Sequence, residues 1–176
     1  MYIIGILFIC TVGTLLHFVY EWSGENKLVA IFAAVNESTW EHIKICMTPS
    51  ILWGLYEFWK YGEQPNYLFA KSMSLLTIIV LIPILFYSYT IFTKKSILFI
   101  DVICFYFTVV CSQQVFVYLA QLPALNRTYQ FIGYILLFLE LAAYFLLTLM
   151  PPKNFIFKDP ITHKYGIEGH PHEHHH

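Results

Sequence analysis

Charge is what this chain has least of. Only 12% of its 176 residues are Asp, Glu, Lys or Arg, about half the share in an ordinary soluble domain. The net charge of −1 leaves no basic excess with which to hold nucleic acid. The four cysteines, Cys10, Cys46, Cys104 and Cys111, show no Cys-x-x-Cys spacing. That argues against a disulfide framework or a cysteine-bound metal and leaves them as small apolar residues. No basic stretch precedes the first apolar run and no small-x-small cleavage site follows it, so the run reads as a retained span, not a removed signal peptide. The common hydrolase signatures are missing too. There is no Gly-x-Ser-x-Gly elbow, no His-Glu-x-x-His pair and no His-x-x-x-His in a late apolar run.

What is present is hydrocarbon. Hydrophobic residues make up 58% of the chain and the mean hydropathy is +0.61. Several runs approach the roughly 20 residues that a helix needs to cross a bilayer. The first extends from Tyr2 to Tyr20. A polar break at 23–26 follows, and the apolar stretch 27–35 is then too short to span, so it predicts a short interfacial or re-entrant helix. Further spans are predicted from Ser38 to Tyr61, Tyr67 to Phe92, Ser96 to Gln121 and Thr128 to Met150. The predicted fold is therefore all-α: one domain, 1–152, with about five transmembrane helices plus the short element near 27–35. A polar, His-rich tail follows at 153–176. With five spans, an inward tail places Lys27, Lys44, Lys94, Lys95, Lys153, Lys158 and Lys164 on the cytoplasmic side and Lys60, Lys71 and Arg127 outside. The bias predicts N-out, C-in.

One stretch departs from this apolar background. Val35 to Lys44 reads Val-Asn-Glu-Ser-Thr-Trp-Glu-His-Ile-Lys. Ser38-Thr39-Trp40-Glu41 fits a capping box, with Ser38 and Glu41 bonding each other's backbone N–H. His17 and Glu21, four apart at the end of the first span, share a face if one helix runs through both. The topology gathers His17, Glu21, Asn36, Glu37, Glu41 and His42 at one membrane face, and Asp101 returns to it. Three readings follow. The cluster is a capped helix start with solvated charges; or a divalent-metal site, such as a zinc site, drawn from His17, Glu21, Glu37, Glu41 and His42; or a metal-free polar pocket or proton path. In the second, Asn36, Trp40, Lys44 and Asp101 line the site, and Glu37 or Glu41 is the candidate general base if the metal activates water. The functional classes are a small-molecule or ion binder, a membrane-embedded metal-dependent hydrolase, and a structural or accessory subunit. The partners implied are the lipid bilayer and a small molecule or ion. Elsewhere, Glu57 and Lys71 lie at matching depth and should pair. Glu140 has no cation near it in its span and is expected either to be neutral through a raised pKa or to bond Gln113 or Gln114. The terminal Gly169-His170-Pro171-His172-Glu173-His174-His175-His176 reads either as a native metal-collecting tail or as a partial appended tag.

Three stretches carry a family resemblance. They are His17-Phe18-x-Tyr20-Glu21-Trp22-Ser23-Gly24, Val35-Asn36-Glu37-Ser38-Thr39-Trp40-Glu41-His42-x-Lys44, and Asp159-Pro160-x-Thr162-x-Lys164-Tyr165-Gly166-Ile167. They resemble the signature stretches of a functionally uncharacterised family of small bacterial multi-span integral membrane proteins. The resemblance implies a bacterial cytoplasmic-membrane protein and supplies no activity, substrate or cofactor. The chain departs from the pattern at His163, where a small residue is usual.

Overall fold

The computed structural model describes residues 2–170. The histidines of the tail beyond His170 lie outside them. The described residues form six α-helices: α1 (Tyr2–Leu16), α2 (Val19–Trp22), α3 (Thr39–Tyr61), α4 (Tyr67–Thr93), α5 (Leu98–Ala120) and α6 (Arg127–Leu149). Two 3-10 turns, Val29–Ile31 and Gly166–Gly169, complete the regular structure. Three helices, α4, α5 and α6, are long and apolar enough to cross a membrane. α3 is as long but carries Glu41, Lys44, Glu57 and Lys60, and α1 is apolar but only 15 residues. The fold is that of an all-α membrane protein.

The packing follows membrane logic. Large apolar side chains face outward, Phe99 being 74% exposed and Phe138 70%, because hydrocarbon outside the bundle accepts them as readily as the interior does. Small and hydroxyl-bearing residues instead fill the contacts between helices, where they let backbones approach. α4 lies between α5 and α6, and α3 joins α4 to α1. Between α4 and α5, the Ser74 and Ser112 hydroxyls are 2.8 Å apart, and Ser112 Oγ donates to the Ser74 carbonyl at 3.0 Å. Gly133 of α6 sits against the backbone of Phe69; a Cβ there would come within 2.6 Å of it.

Two differences from the sequence expectation matter for the site. First, the helix predicted from Tyr2 to Tyr20 stops at Leu16. The Leu16 carbonyl accepts from the Ala34 amide at 3.1 Å, a contact made by a distant returning segment. The chain kinks through His17 and Phe18 before α2, so His17 and Glu21 do not share a continuous helix face. Second, the short element near 27–35 is a single 3-10 turn followed by irregular backbone at 32–38. Its Ala30, Ala33, Ala34 and Val35 are buried.

The stretch 153–170 folds back over the start of α3. Phe157 is buried and stacks on Trp40 with ring centroids 5.0 Å apart, joining the bundle's apolar core. His163 has a φ of +60°, in the left-handed region that glycine adopts most readily.

At the other end of the bundle, Lys71 Nζ donates to Glu57 Oε2 at 2.8 Å, both side chains being buried; the expected pair forms. Glu140 behaves otherwise. Both its carboxylate oxygens are buried without a hydrogen-bond partner among the described residues, so the expected bond to Gln113 or Gln114 is absent. Breaking the Glu57–Lys71 pair on one side leaves an uncompensated buried charge. Lys71→Met should therefore destabilise the protein by about 3–5 kcal/mol, whereas Glu57→Leu with Lys71→Met should recover most of that loss. Thermal unfolding midpoints of the two variants in one detergent check this.

Candidate functional site

The irregular segment 28–38 poses a hydrogen-bonding problem. Peptide groups buried in a helix bundle without regular structure need partners from elsewhere. Side chains of α3 and α6 supply them. Lys44 Nζ donates to the Ala30 carbonyl at 2.8 Å, Tyr144 Oη to the Ile31 carbonyl at 3.0 Å, and the Thr48 hydroxyl reaches the Phe32 carbonyl at 3.0 Å. The Val35 amide donates to Glu41 Oε2 at 3.0 Å. That same carboxylate oxygen is ion-paired with Lys44, one helical turn on, and both side chains are almost fully buried. The pair is thus electrically closed, and each partner also grips the returning backbone.

This geometry replaces the capping box. Ser38 is the residue before α3, but its side chain makes no cap bond, and the Glu41 carboxylate is engaged with Val35 and Lys44. The exposed amides at the helix start are met instead from the C-terminal stretch and from Asn36. Glu37 N donates to Asp159 Oδ1 at 2.9 Å, Ser38 N to Asn36 Oδ1 at 2.8 Å, and Trp40 N to the Ile156 carbonyl at 3.0 Å. A carboxylate there also suits the positive end of the helix dipole. Asp159 is fully buried, and its Oδ2 accepts from the Ile161 amide and from the Thr162 amide and hydroxyl. Asn36 Nδ2 donates to the Gly166 carbonyl at 2.9 Å, and His170 Nδ1 lies 2.9 Å from the Val35 carbonyl. All three stretches that carried the resemblance meet at this end of the bundle.

With its backbone so fixed, Glu37 points its carboxylate between two imidazoles. His17 Nε2 is 3.7 Å from Oε1, and His42 Nε2 is 3.8 Å from Oε2. One ligand atom from each of the three residues lies within 4.8 Å of the others. His42 Nδ1 is 3.0 Å from the Ser38 carbonyl. A carbonyl can only accept, so Nδ1 carries a proton, which leaves Nε2 as the ring atom able to offer a lone pair to the cluster. Fixing a ring by a backbone carbonyl in this way is the usual arrangement behind a metal-binding histidine. Two ligands bound at about 2.1 Å in a tetrahedral set are roughly 3.4 Å apart. The two imidazole–carboxylate distances are a few tenths of an ångström wider than that, the set as a whole lies within 4.8 Å, and all three residues are half-buried.

The other residues singled out in the sequence fall elsewhere. Glu21 is exposed and outside this group. Glu41 belongs to the buried pair. Asn36 and Lys44 hold backbone, and the Trp40 indole donates to Thr148 Oγ1 at 3.3 Å. Asp101 accepts from Tyr89 Oη at 2.6 Å and from the Ser96 hydroxyl, and with His42 it lines a small void. Sequence reasoning missed the parts played by Asp159, Tyr144, Thr48 and His170. Only Asp159 carried a usable signal, through the resemblance of its stretch.

Fold and site together define a helical membrane protein with a polar His/Glu cluster at one end of its bundle. The chain belongs to the family of unknown function DUF6512, which matches residues 1–167. No curated protein and no solved structure matches it.

Removing the Lys44 ammonium leaves the Glu41 charge and the Ala30 carbonyl without their partner. Lys44→Met should cost about 3–5 kcal/mol and loosen the segment 28–38. Hydrogen exchange at the Ala34 and Val35 amides should then accelerate more than exchange in α4 or α5.

Proposed function

We propose that the protein binds a divalent transition-metal ion of the zinc type between His17, Glu37 and His42. One observation carries the reading. Two Nε2 atoms bracket one carboxylate at 3.7 and 3.8 Å, and one of the two rings is held by a backbone carbonyl in the tautomer that ligation requires. Two imidazoles and a carboxylate suit zinc, and three protein ligands leave a position for water or a small molecule.

The half-buried setting gives an ion access from the aqueous face. The positive-inside bias supports a cytoplasmic placement of that face, and the bias is larger once Lys44 and Lys71, both buried in ion pairs, are set aside. Lys27, Lys94, Lys95, Lys153, Lys158 and Lys164 then stand against Lys60 and Arg127. A bound ion would supply Lewis acidity at the open position, so a metal-dependent hydrolase is the second reading. The engagement of Glu41 by Lys44 and Val35 removes one of the two candidate bases and favours ion binding over hydrolysis.

The test uses the full chain with His172, His174, His175 and His176 replaced by Ser, so that the tail does not contribute. Elemental analysis after zinc loading and desalting should give about one zinc per chain. His42→Asn and Glu37→Gln should each weaken binding by roughly 100-fold, one ligand's share of a typical zinc site. Affinity should fall as the pH is lowered, since imidazole ligates only when deprotonated. No retained metal, or unchanged retention in His42→Asn, contradicts the proposal.

A further inference from the structure

A cavity lies at the opposite end of the bundle from the His/Glu cluster. It has a volume of about 450 Å³ and opens between α1, α3 and α5 beside the turn that leads into α4. That size suits a small organic ligand. Its walls are mostly apolar and partly aromatic, with Trp53 of α3 and Phe116 and Val117 of α5.

Its polar groups restrict the occupant. Gln113 lines the cavity, is 1% exposed, and its amide Nε2 has no hydrogen-bond partner among the described residues. An unpaired buried amide donor is costly, and the missing partner is an acceptor. Glu57, the charged residue on the wall, is closed on Lys71 at 2.8 Å, and Lys71 Nζ also sits 5.3 Å from the centre of the Phe116 ring. The pair therefore leaves no net charge to meet an ionic ligand, and an ionic ligand would enter this apolar space unpaired.

We propose that this cavity binds an uncharged, ring-bearing, membrane-soluble molecule through a carbonyl oxygen that accepts from Gln113 Nε2. The apolar body packs against Trp53 and Phe116. The site is separate from the His/Glu cluster and does not depend on metal binding there.

The test uses the full chain in nanodiscs, with a short-tailed alkyl benzoquinone as probe and an alkylbenzene of the same tail as the oxygen-free control. Tryptophan quenching by the benzoquinone should saturate, and the saturable part should vanish in Trp53→Phe. Gln113→Leu should weaken the benzoquinone about tenfold, the worth of one buried hydrogen bond, without weakening displacement of the benzoquinone by the alkylbenzene. The same substitution should raise the thermal stability of the ligand-free protein, because it removes an unpaired donor; a merely structural Gln113 would lower it. Ala120→Phe, on the cavity wall, should abolish saturable quenching. Non-saturating quenching in the native chain, or full affinity in Gln113→Leu or Ala120→Phe, overturns the proposal. So does saturable quenching of Trp53 by a brominated-chain phospholipid that the benzoquinone cannot displace, which would make a lipid chain the occupant.

Discussion

The buried contact between Glu41 and Lys44 sets the geometry of one whole end of this protein. A charge pair inside a bundle is of little net benefit when it only satisfies itself. Here each partner holds the returning segment as well, Lys44 through the Ala30 carbonyl and Glu41 through the Val35 amide. Tyr144 and Thr48 meet the Ile31 and Phe32 carbonyls. Side chains thereby supply partners to several peptide groups of a stretch with almost no regular structure, which is what irregular backbone at membrane depth requires.

Once that segment is anchored, the remaining polar residues fall into position. The Ala34 amide takes the Leu16 carbonyl, which ends α1 and turns His17 towards the start of α3. Asp159 takes the Glu37 amide, which aims the Glu37 carboxylate at His17 and His42. The cluster is thus assembled from three stretches separated by some twenty and more than a hundred residues, and no one of them carries it alone. The chain after α6 is part of this assembly, through Ile156, Phe157, Asp159 and Gly166.

The helices were legible because hydropathy is a local property. Runs of apolar residues bounded by Gly, Pro, Asn and Lys give α3 to α6 to within about two residues at each end. The Glu57–Lys71 pair was legible from depth alone, since two opposite charges at one level of a bundle have few other options. The inner end of α1 was not, because it depends on an amide eighteen residues later. The role of Glu41 was misread for the same reason. Its spacing from Ser38 fits a capping box, but Lys44, the Val35 amide and the Ile156 carbonyl compete for the same groups, and those partners arrive only with tertiary folding. Of the five residues offered as metal ligands, the structure gathers His17, Glu37 and His42. Glu21 is carried off by the kink, and Glu41 turns inward.

The central claim is that this anchored backbone holds His17, Glu37 and His42 ready to take one ion. Anomalous diffraction at the zinc edge, from crystals of zinc-loaded protein with His172, His174, His175 and His176 replaced by Ser, tests it most directly. The account predicts one strong peak at about 2.0–2.2 Å from the two Nε2 atoms and a Glu37 oxygen. A map with no peak there, or with zinc bound only at other residues, would contradict it.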